Sequence, residues 1–117
     1  MTVQSPIALV TGAGTGIGKA CAHALVQNGY HVIFTGRRVE VLQQAITELK
    51  ELAIQATPYA LDISKVDQVQ GLFQMITERF GRLDVLFNNA RDDLKMLANY
   101  LAVNLKFDVI MPQQNMN

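Results

Sequence analysis

A glycine-rich run directly after a short apolar stretch constrains this chain more than any other feature. Residues 7–11 have the composition of a buried strand, and they lead into the sequence TGAGTGIG of residues 11–18. Glycines let the backbone approach a ligand, and a helix that follows them directs free N–H groups and its positive dipole end at an anion. The run therefore predicts a strand, a turn and a helix that together hold a pyrophosphate.

The composition favours a single globular domain. The chain has 117 residues, half of them hydrophobic, and a formal net charge of zero. The balanced charge argues against nucleic acid and anionic membranes as partners. No apolar run approaches the roughly 20 residues of a membrane span. The lone Cys21 cannot form an internal disulfide and residues 1–6 show no secretory signal, so we expect a cytoplasmic location.

Strand and helix patterns alternate along the chain. The predicted strands are 7–11, 31–35, 57–61 and 83–87, and the predicted helices are 17–28, 39–52 and 64–80. This alternation predicts an α/β fold: a Rossmann-like, doubly wound parallel sheet of about four strands in the order 3-2-1-4, with flanking helices. Pro58 cannot donate a hydrogen bond to a neighbouring strand, which places the third strand at a sheet edge.

Spacing also predicts helix faces and helix ends. On the first helix the positions predicted to share one face are Ile17, Cys21, Ala24, Leu25 and Asn28. Ser64, with Asp67 three residues later, is similar to a capping box at the start of the third helix. On that helix the predicted face comprises Val66, Val69, Phe73, Ile76 and Phe80. Gly29 and Gly81 are predicted to end the first and third helices.

The glycine spacing is T-G-x-x-x-G-x-G rather than G-x-G-x-x-G, and Asn88-Asn89-Ala90 follows the fourth strand. Together these motifs resemble the short-chain dehydrogenase/reductase family over roughly residues 5–90. The resemblance implies an NAD(P)-binding unit in residues 1–90 and a family reaction that transfers hydride between a nicotinamide cofactor and a carbonyl or alcohol. We expect residues 91–117 to form a divergent tail of the same domain, and their leucine spacing predicts one more helix from Asp93.

The resemblance implies cofactor contacts at three places. Those in the glycine-rich turn are Gly12, Gly14, Thr15, Gly16, Ile17 and Gly18. Asp62 is implied to accept a hydrogen bond from the adenine amino group, with Ile63 near the ring. A helix-capping role is the alternative for Asp62. The segment Asn88, Asn89 and Ala90 is implied to hold the end of the fourth strand against the cofactor ribose.

The end of the second strand predicts NADP in preference to NAD. An acidic residue at this position, about 20 residues past the glycines, would bind the ribose 2′-hydroxyl of NAD. This chain instead has Gly36 followed by Arg37 and Arg38. Two guanidiniums can bind a 2′-phosphate through charge-assisted hydrogen bonds, and Arg37 could also stack on adenine. A solvated helix start is the alternative, although cations at a helix N-terminus oppose the dipole unless an anion is near.

The family's catalytic pair is a tyrosine followed four residues later by a lysine, which lowers the tyrosine pKa. None of the three tyrosines here has a lysine at that spacing, so we predict no complete catalytic site. Asn104 is similar to the family asparagine that supports a proton relay, and a surface asparagine is its alternative. Arg91 replaces the last glycine of the family's Asn-Asn-Ala-Gly segment. The two histidines lack metal-ligand spacing, and we expect no metal site.

Two other functions fit parts of the pattern. A non-catalytic NADP-binding or scaffold module would act through a partner. A methyltransferase that uses S-adenosylmethionine also has a glycine-rich loop after its first strand, but it usually carries an acid where this chain has Gly36. If the outer edge of the fourth strand is uncovered, we expect it to pair with another copy of the chain.

Overall fold

The computed structural model describes residues 5–89. They form four strands and three α-helices, with a 3₁₀ helix at Lys50–Gln55. The strands are β1 (Ile7–Thr11), β2 (His31–Gly36), β3 (Ala56–Ala60) and β4 (Val85–Asn88). The helices are α1 (Gly16–Gln27), α2 (Val39–Thr47) and α3 (Val66–Arg79). The elements alternate as the sequence predicts.

All strand pairs in this part of the chain are parallel, in the order β3-β2-β1-β4. The predicted fold class and strand order are therefore confirmed. β3 lies at one edge of this sheet, and its Pro58 pairs in register with Phe34 of β2. Because proline lacks an N–H, an edge strand is the position where it removes the least from the sheet.

The sheet is buried on both faces, which explains why β1 and β2 are almost continuously apolar. Leu9 and Ile33 face a core that α3 supplies, whereas Val10 and Phe34 face a second core that α1 and α2 supply. All four side chains are fully buried. The strand period of two thus places successive residues in two separate cores.

The predicted face of α1 is wrong. Its buried residues are Gly18, Ala22 and Val26, whereas Ile17 is 72% exposed. At Gly18 the helix lies too close to the preceding turn for a β-carbon, and Ala22 and Val26 lie on the same buried face. Apolar periodicity predicted a face that starts one residue earlier, at Ile17. Gly29 does end the helix as predicted, at a φ of +94°.

The predicted capping box at the start of α3 is also wrong. Lys65 is the N-cap and makes no side-chain capping hydrogen bond. The Ser64 hydroxyl instead donates to Oδ1 of Asp62 at 2.6 Å, and the Ser64 N–H donates to the same oxygen at 3.0 Å. Val66, predicted on the buried face, is 52% exposed, and Leu72 is buried in its place.

The predicted helix 39–52 is divided in two. α2 ends at Thr47, and Lys50 then adopts a φ of +58° before the 3₁₀ helix. Side chains with a β-carbon are strained in this left-handed region.

The helix and domain segment predicted for residues 91–117 lie outside the described residues. Within residues 5–89, no helix is both long enough and apolar enough to cross a membrane.

Replacing the strained Lys50 with glycine tests that backbone geometry. We expect Lys50→Gly to raise the free energy of unfolding by about 0.5–1 kcal/mol, since the relieved strain exceeds the entropy that glycine loses on folding. Glu51→Gly, at the next exposed residue, should lower it by about 0.5–1 kcal/mol. Urea unfolding measures both changes, and equal destabilisation by the two variants would contradict the prediction.

Candidate functional site

A cavity of about 300 Å³ opens between the glycine-rich turn and the start of α2. Its described lining residues are Gly12, Gly14, Thr15, Gly36, Arg37, Arg38, Val41 and Leu42. The cavity lies at the carboxyl ends of β1 and β2, where open α/β sheets bind their ligands. The structure therefore brings the glycine-rich turn and both arginines to one site.

The turn exposes backbone rather than side chains. Gly12 and Gly16 have φ angles of +62° and +58°, which other residues rarely adopt. A β-carbon at Gly16 would meet nothing within 4 Å, so this part of the turn faces open space. α1 begins here with Thr15 as its extended N-cap and carries no acidic residue in its first turn. The helix N-terminus is thus free to attract an anion.

Gly18 has a different role from the other glycines. A β-carbon here would overlap the carbonyl oxygen of Gly12 and lie 2.9 Å from Nδ2 of Asn89. Only glycine lets α1 come this close to the turn and to the end of β4. Gly18 thus fixes the helix relative to the cavity but is absent from its lining.

Hydrogen bonds join the ends of the strands around the turn. The Ala13 N–H donates to the carbonyl oxygen of Thr35 at 3.0 Å, which ties the turn to β2. Thr35 in turn donates its hydroxyl to the carbonyl oxygen of Val10 at 3.0 Å. The side chains of Ala13 and Thr35 are both buried, so the turn is held rigidly against the sheet.

Thr11 links β1 to the end of β4. Its hydroxyl donates to Oδ1 of Asn88 at 2.9 Å and accepts the N–H of Asn89 at 2.8 Å. Asn88 is fully buried, and its Nδ2 has no hydrogen-bond partner within residues 5–89. The predicted cofactor residue Asn88 therefore supports the strand ends, and Asn89 lies partly buried beside Gly18.

The two arginines bring positive charge to the cavity. Both are exposed, and the guanidinium of Arg37 lies 3.9 Å from Oδ1 of Asp62. Arg38 is the N-cap of α2, where a cation opposes the helix dipole and Glu40 in the first turn partly offsets it. None of the described residues that line the cavity is acidic. The site is electrostatically suited to an anion.

Asp62 lies beside this site rather than in its lining. Hydrogen bonds from the hydroxyl and N–H of Ser64, together with the charge of Arg37, hold the pKa of Asp62 below its ordinary value. Lys65 is the N-cap of α3, so Asp62 does not cap that helix. Ile63 packs against the core on the α3 side of the sheet.

The structure adds three residues to the predicted set. Gly36, Val41 and Leu42 line the cavity, and sequence reasoning assigned none of them to the cofactor. Val41 and Leu42 could have been found from their spacing, because residues three and four positions after Arg38 lie on the same side of α2 as Arg38. The predicted site residues Ala90 and Asn104 lie outside the described part of the chain.

The two histidines make structural contacts. Nε2 of His23 lies 2.8 Å from the carbonyl oxygen of Ala45, and Nε2 of His31 lies 2.8 Å from the Thr57 hydroxyl. Burial and the charge of Arg79 lower the pKa of His31. Within residues 5–89, no group of three or more His, Cys, Asp or Glu side chains is placed to hold a metal.

The sequence profile of the family described as "short chain dehydrogenase" matches residues 6–106. The chain belongs to the short-chain dehydrogenase/reductase family, as its glycine and asparagine motifs predicted. Members of this family are oxidoreductases that bind nicotinamide cofactors.

Individual relatives agree with this assignment. The 3-oxoacyl-acyl-carrier-protein reductase FabG of Thermotoga maritima is 34% identical over 90 residues, which are 77% of this chain and 37% of that protein. L-sorbose reductase of Gluconobacter frateurii, solved with NADPH and L-sorbose, has a TM-score of 0.69 and 31% identity. That match covers 77% of this chain and 35% of the reductase.

A third similar protein is actinorhodin polyketide ketoreductase, solved with NADPH. Its TM-score is 0.67 and its identity is 38%, over 73% of this chain and 33% of the ketoreductase. The chain thus spans about a third of the length of the relatives it matches.

Removing the Thr11 hydroxyl tests the link between β1 and β4. Thr11→Val keeps the shape but leaves the Asn89 N–H and the side-chain Oδ1 of Asn88 without this partner. We expect it to lower the free energy of unfolding by about 1–3 kcal/mol. Thr11→Ser keeps the hydroxyl and should retain most of the stability. Urea unfolding compares them, and equal losses in both variants would show that the methyl group, not the hydroxyl, matters.

Proposed function

We propose that this chain binds NADP(H) in preference to NAD(H), as part of an oxidoreductase that reduces a carbonyl or oxidises an alcohol. The cofactor, when bound, would supply or accept the hydride. Residues 5–89 would hold its adenosine half. The glycine-rich turn and the start of α1 would hold the pyrophosphate, and the end of β2 would hold the adenosine ribose with its 2′-phosphate.

One observation carries the proposed preference: Arg37 and Arg38 line the same cavity as the glycine-rich turn, and no described lining residue is acidic. A 2′-phosphate gains charge-assisted hydrogen bonds from guanidiniums. The ribose 2′-hydroxyl of NAD would find no carboxylate at the end of β2, where Gly36 stands. The same phosphate would also compensate the two cations at the start of α2.

The volume of the site is compatible with this half of the cofactor. The cavity volume of about 300 Å³ lies within the range of small-molecule sites. A β-carbon at Gly14 would meet Val41 at the cavity wall, so this position keeps its backbone bare beside the ligand space. Two similar reductases were solved with NADPH, which supports the proposal. Family membership does not favour the methyltransferase alternative.

Charge removal at the two arginines tests the cofactor preference. We expect the wild-type chain to bind NADP more tightly than NAD. Arg37→Ala and Arg38→Ala should each reduce that preference by about 10- to 100-fold, because a hydrogen bond to a charged group contributes about 1.5–3 kcal/mol. NAD affinity should change little in both variants. Calorimetric titration with both nucleotides at one salt concentration gives the ratios.

Arg79→Ala is the matched control, since Arg79 lies against Phe80 and near His31, which begins β2 at the end of the strand remote from the cavity. It removes the same charge without touching the cavity and should leave the NADP-to-NAD preference unchanged. Equal affinities of the wild-type chain for NADP and NAD would contradict the proposal. An undiminished preference in both cavity variants would contradict the role of the arginines.

The preference should not require the nicotinamide. Adenosine 2′,5′-bisphosphate and adenosine 5′-monophosphate differ only in the 2′-phosphate. We expect the wild-type chain to prefer the bisphosphate by a factor within about threefold of its NADP-to-NAD preference, because both ratios isolate the same contacts. Competition titrations measure the two ratios. A bisphosphate preference near one, beside a strong NADP preference, would place the discriminating contacts outside the cavity.

A further inference from the structure

Position 14 requires glycine for a different reason from the neighbouring positions 12 and 16. A β-carbon at Gly14 would lie 2.6 Å from Cγ1 of Val41, a distance that real β-carbon contacts do not reach. Gly12 and Gly16 have positive φ angles, whereas Gly14 does not. The demand for glycine at position 14 is therefore steric. It comes from one side chain in the first turn of α2.

Val41 is joined to Arg38 by the backbone. The N–H groups of Val41 and Leu42 both donate to the carbonyl oxygen of Arg38, at 3.1 and 3.2 Å. A displacement of the Val41 backbone therefore also moves the peptide that carries the Arg38 side chain. The valine side chain is branched at Cβ and restricted in χ1, so it transmits such a displacement instead of absorbing it.

Leu42 supports the first turn of α2 from the core. It is fully buried in the core formed with α1 and the sheet, and its Cδ2 would lie 3.3 Å from a β-carbon at Gly36. In the first turn of α2, Val41 thus packs against Gly14 and Leu42 packs against Gly36. All four residues line the cavity.

We propose that Val41 is a positioning residue for the discrimination of the 2′-phosphate. Val41 packs against Gly14. This contact sets the distance between the glycine-rich turn, which binds the pyrophosphate, and Arg38, which binds the 2′-phosphate. The inference rests on the proposed function, because it concerns how the arginine end of that site is held. Val41 thus contributes to specificity although its side chain carries no charge or polar group.

A double-mutant cycle with Gly14→Ala, Val41→Ala and the combined variant tests this role. The readout is the affinity ratio of adenosine 2′,5′-bisphosphate to adenosine 5′-monophosphate, measured by calorimetry at one salt concentration. Gly14→Ala should lower that ratio at least tenfold, since the added methyl displaces Val41. The double variant should recover most of the ratio, because the shortened side chain makes room for that methyl.

Val41→Ala alone adds no atoms and creates no clash, so it keeps the fold and carries the test even if Gly14→Ala does not fold. It should lower the ratio at least threefold, as Arg38 loses its support. Gly71→Ala in α3 is the matched control. Its β-carbon would meet only the Tyr59 hydroxyl, at 3.2 Å, on the other side of the sheet. Its ratio should equal that of the wild-type chain.

The outcomes separate the two proposals. A wild-type chain that binds both nucleotides equally contradicts the proposed NADP preference, and this inference falls with it. A wild-type chain that discriminates, together with an unchanged ratio in Val41→Ala, overturns this inference alone. A double variant whose affinity ratio is as low as that of a folded Gly14→Ala also overturns it. Relief of the steric contact would then not restore the position of Arg38.

Discussion

The close approach of α1 to the glycine-rich turn is the constraint on which the rest of the site depends. It occurs where Gly18 lies against the carbonyl oxygen of Gly12, with no room for a β-carbon. This contact holds the helix N-terminus over the end of β1 and brings α1 beside Asn89. It also explains why α1 turns small residues such as Ala22 toward the sheet and leaves Ile17 in solvent. A larger residue at position 18 would move the helix and, with it, the free N–H groups of its first turn.

The parallel strands place the glycine-rich turn and the arginines in one site, because the carboxyl ends of parallel strands lie at the same end of the sheet. Hydrogen bonds cross that edge in sequence: Ala13 bonds to Thr35, Thr11 to Asn89, and the Leu61 N–H to the carbonyl oxygen of Gly36 at 2.8 Å. Each strand end is therefore fixed to its neighbour. The geometry of the cavity therefore depends on the register of the sheet as well as on the loops.

The electrostatics follow from the same geometry. The N-terminus of α1 and the two arginines contribute positive potential to one cavity, although they are separated by a helix and a strand in the sequence. Cations at the start of α2 oppose its dipole, and Glu40 together with the Asp62 carboxylate near Arg37 compensates them only in part. This arrangement is unfavourable for stability in isolation and favourable once a phosphate is bound. Functional sites commonly retain such local conflicts.

The sequence by itself determined the fold class, the strand order, the edge position of Pro58 and the family, because glycine spacing, proline chemistry and strand–helix alternation are local properties of the chain. Helix faces were less predictable: apolar spacing placed Ile17 and Val66 on buried faces, whereas the space left by neighbouring elements placed both in solvent. Only the tertiary structure decided that Val41 closes on Gly14 and that the Asn88 side chain turns inward to Thr11. Those contacts join residues that are 27 and 77 positions apart, and their geometry depends on how whole elements pack.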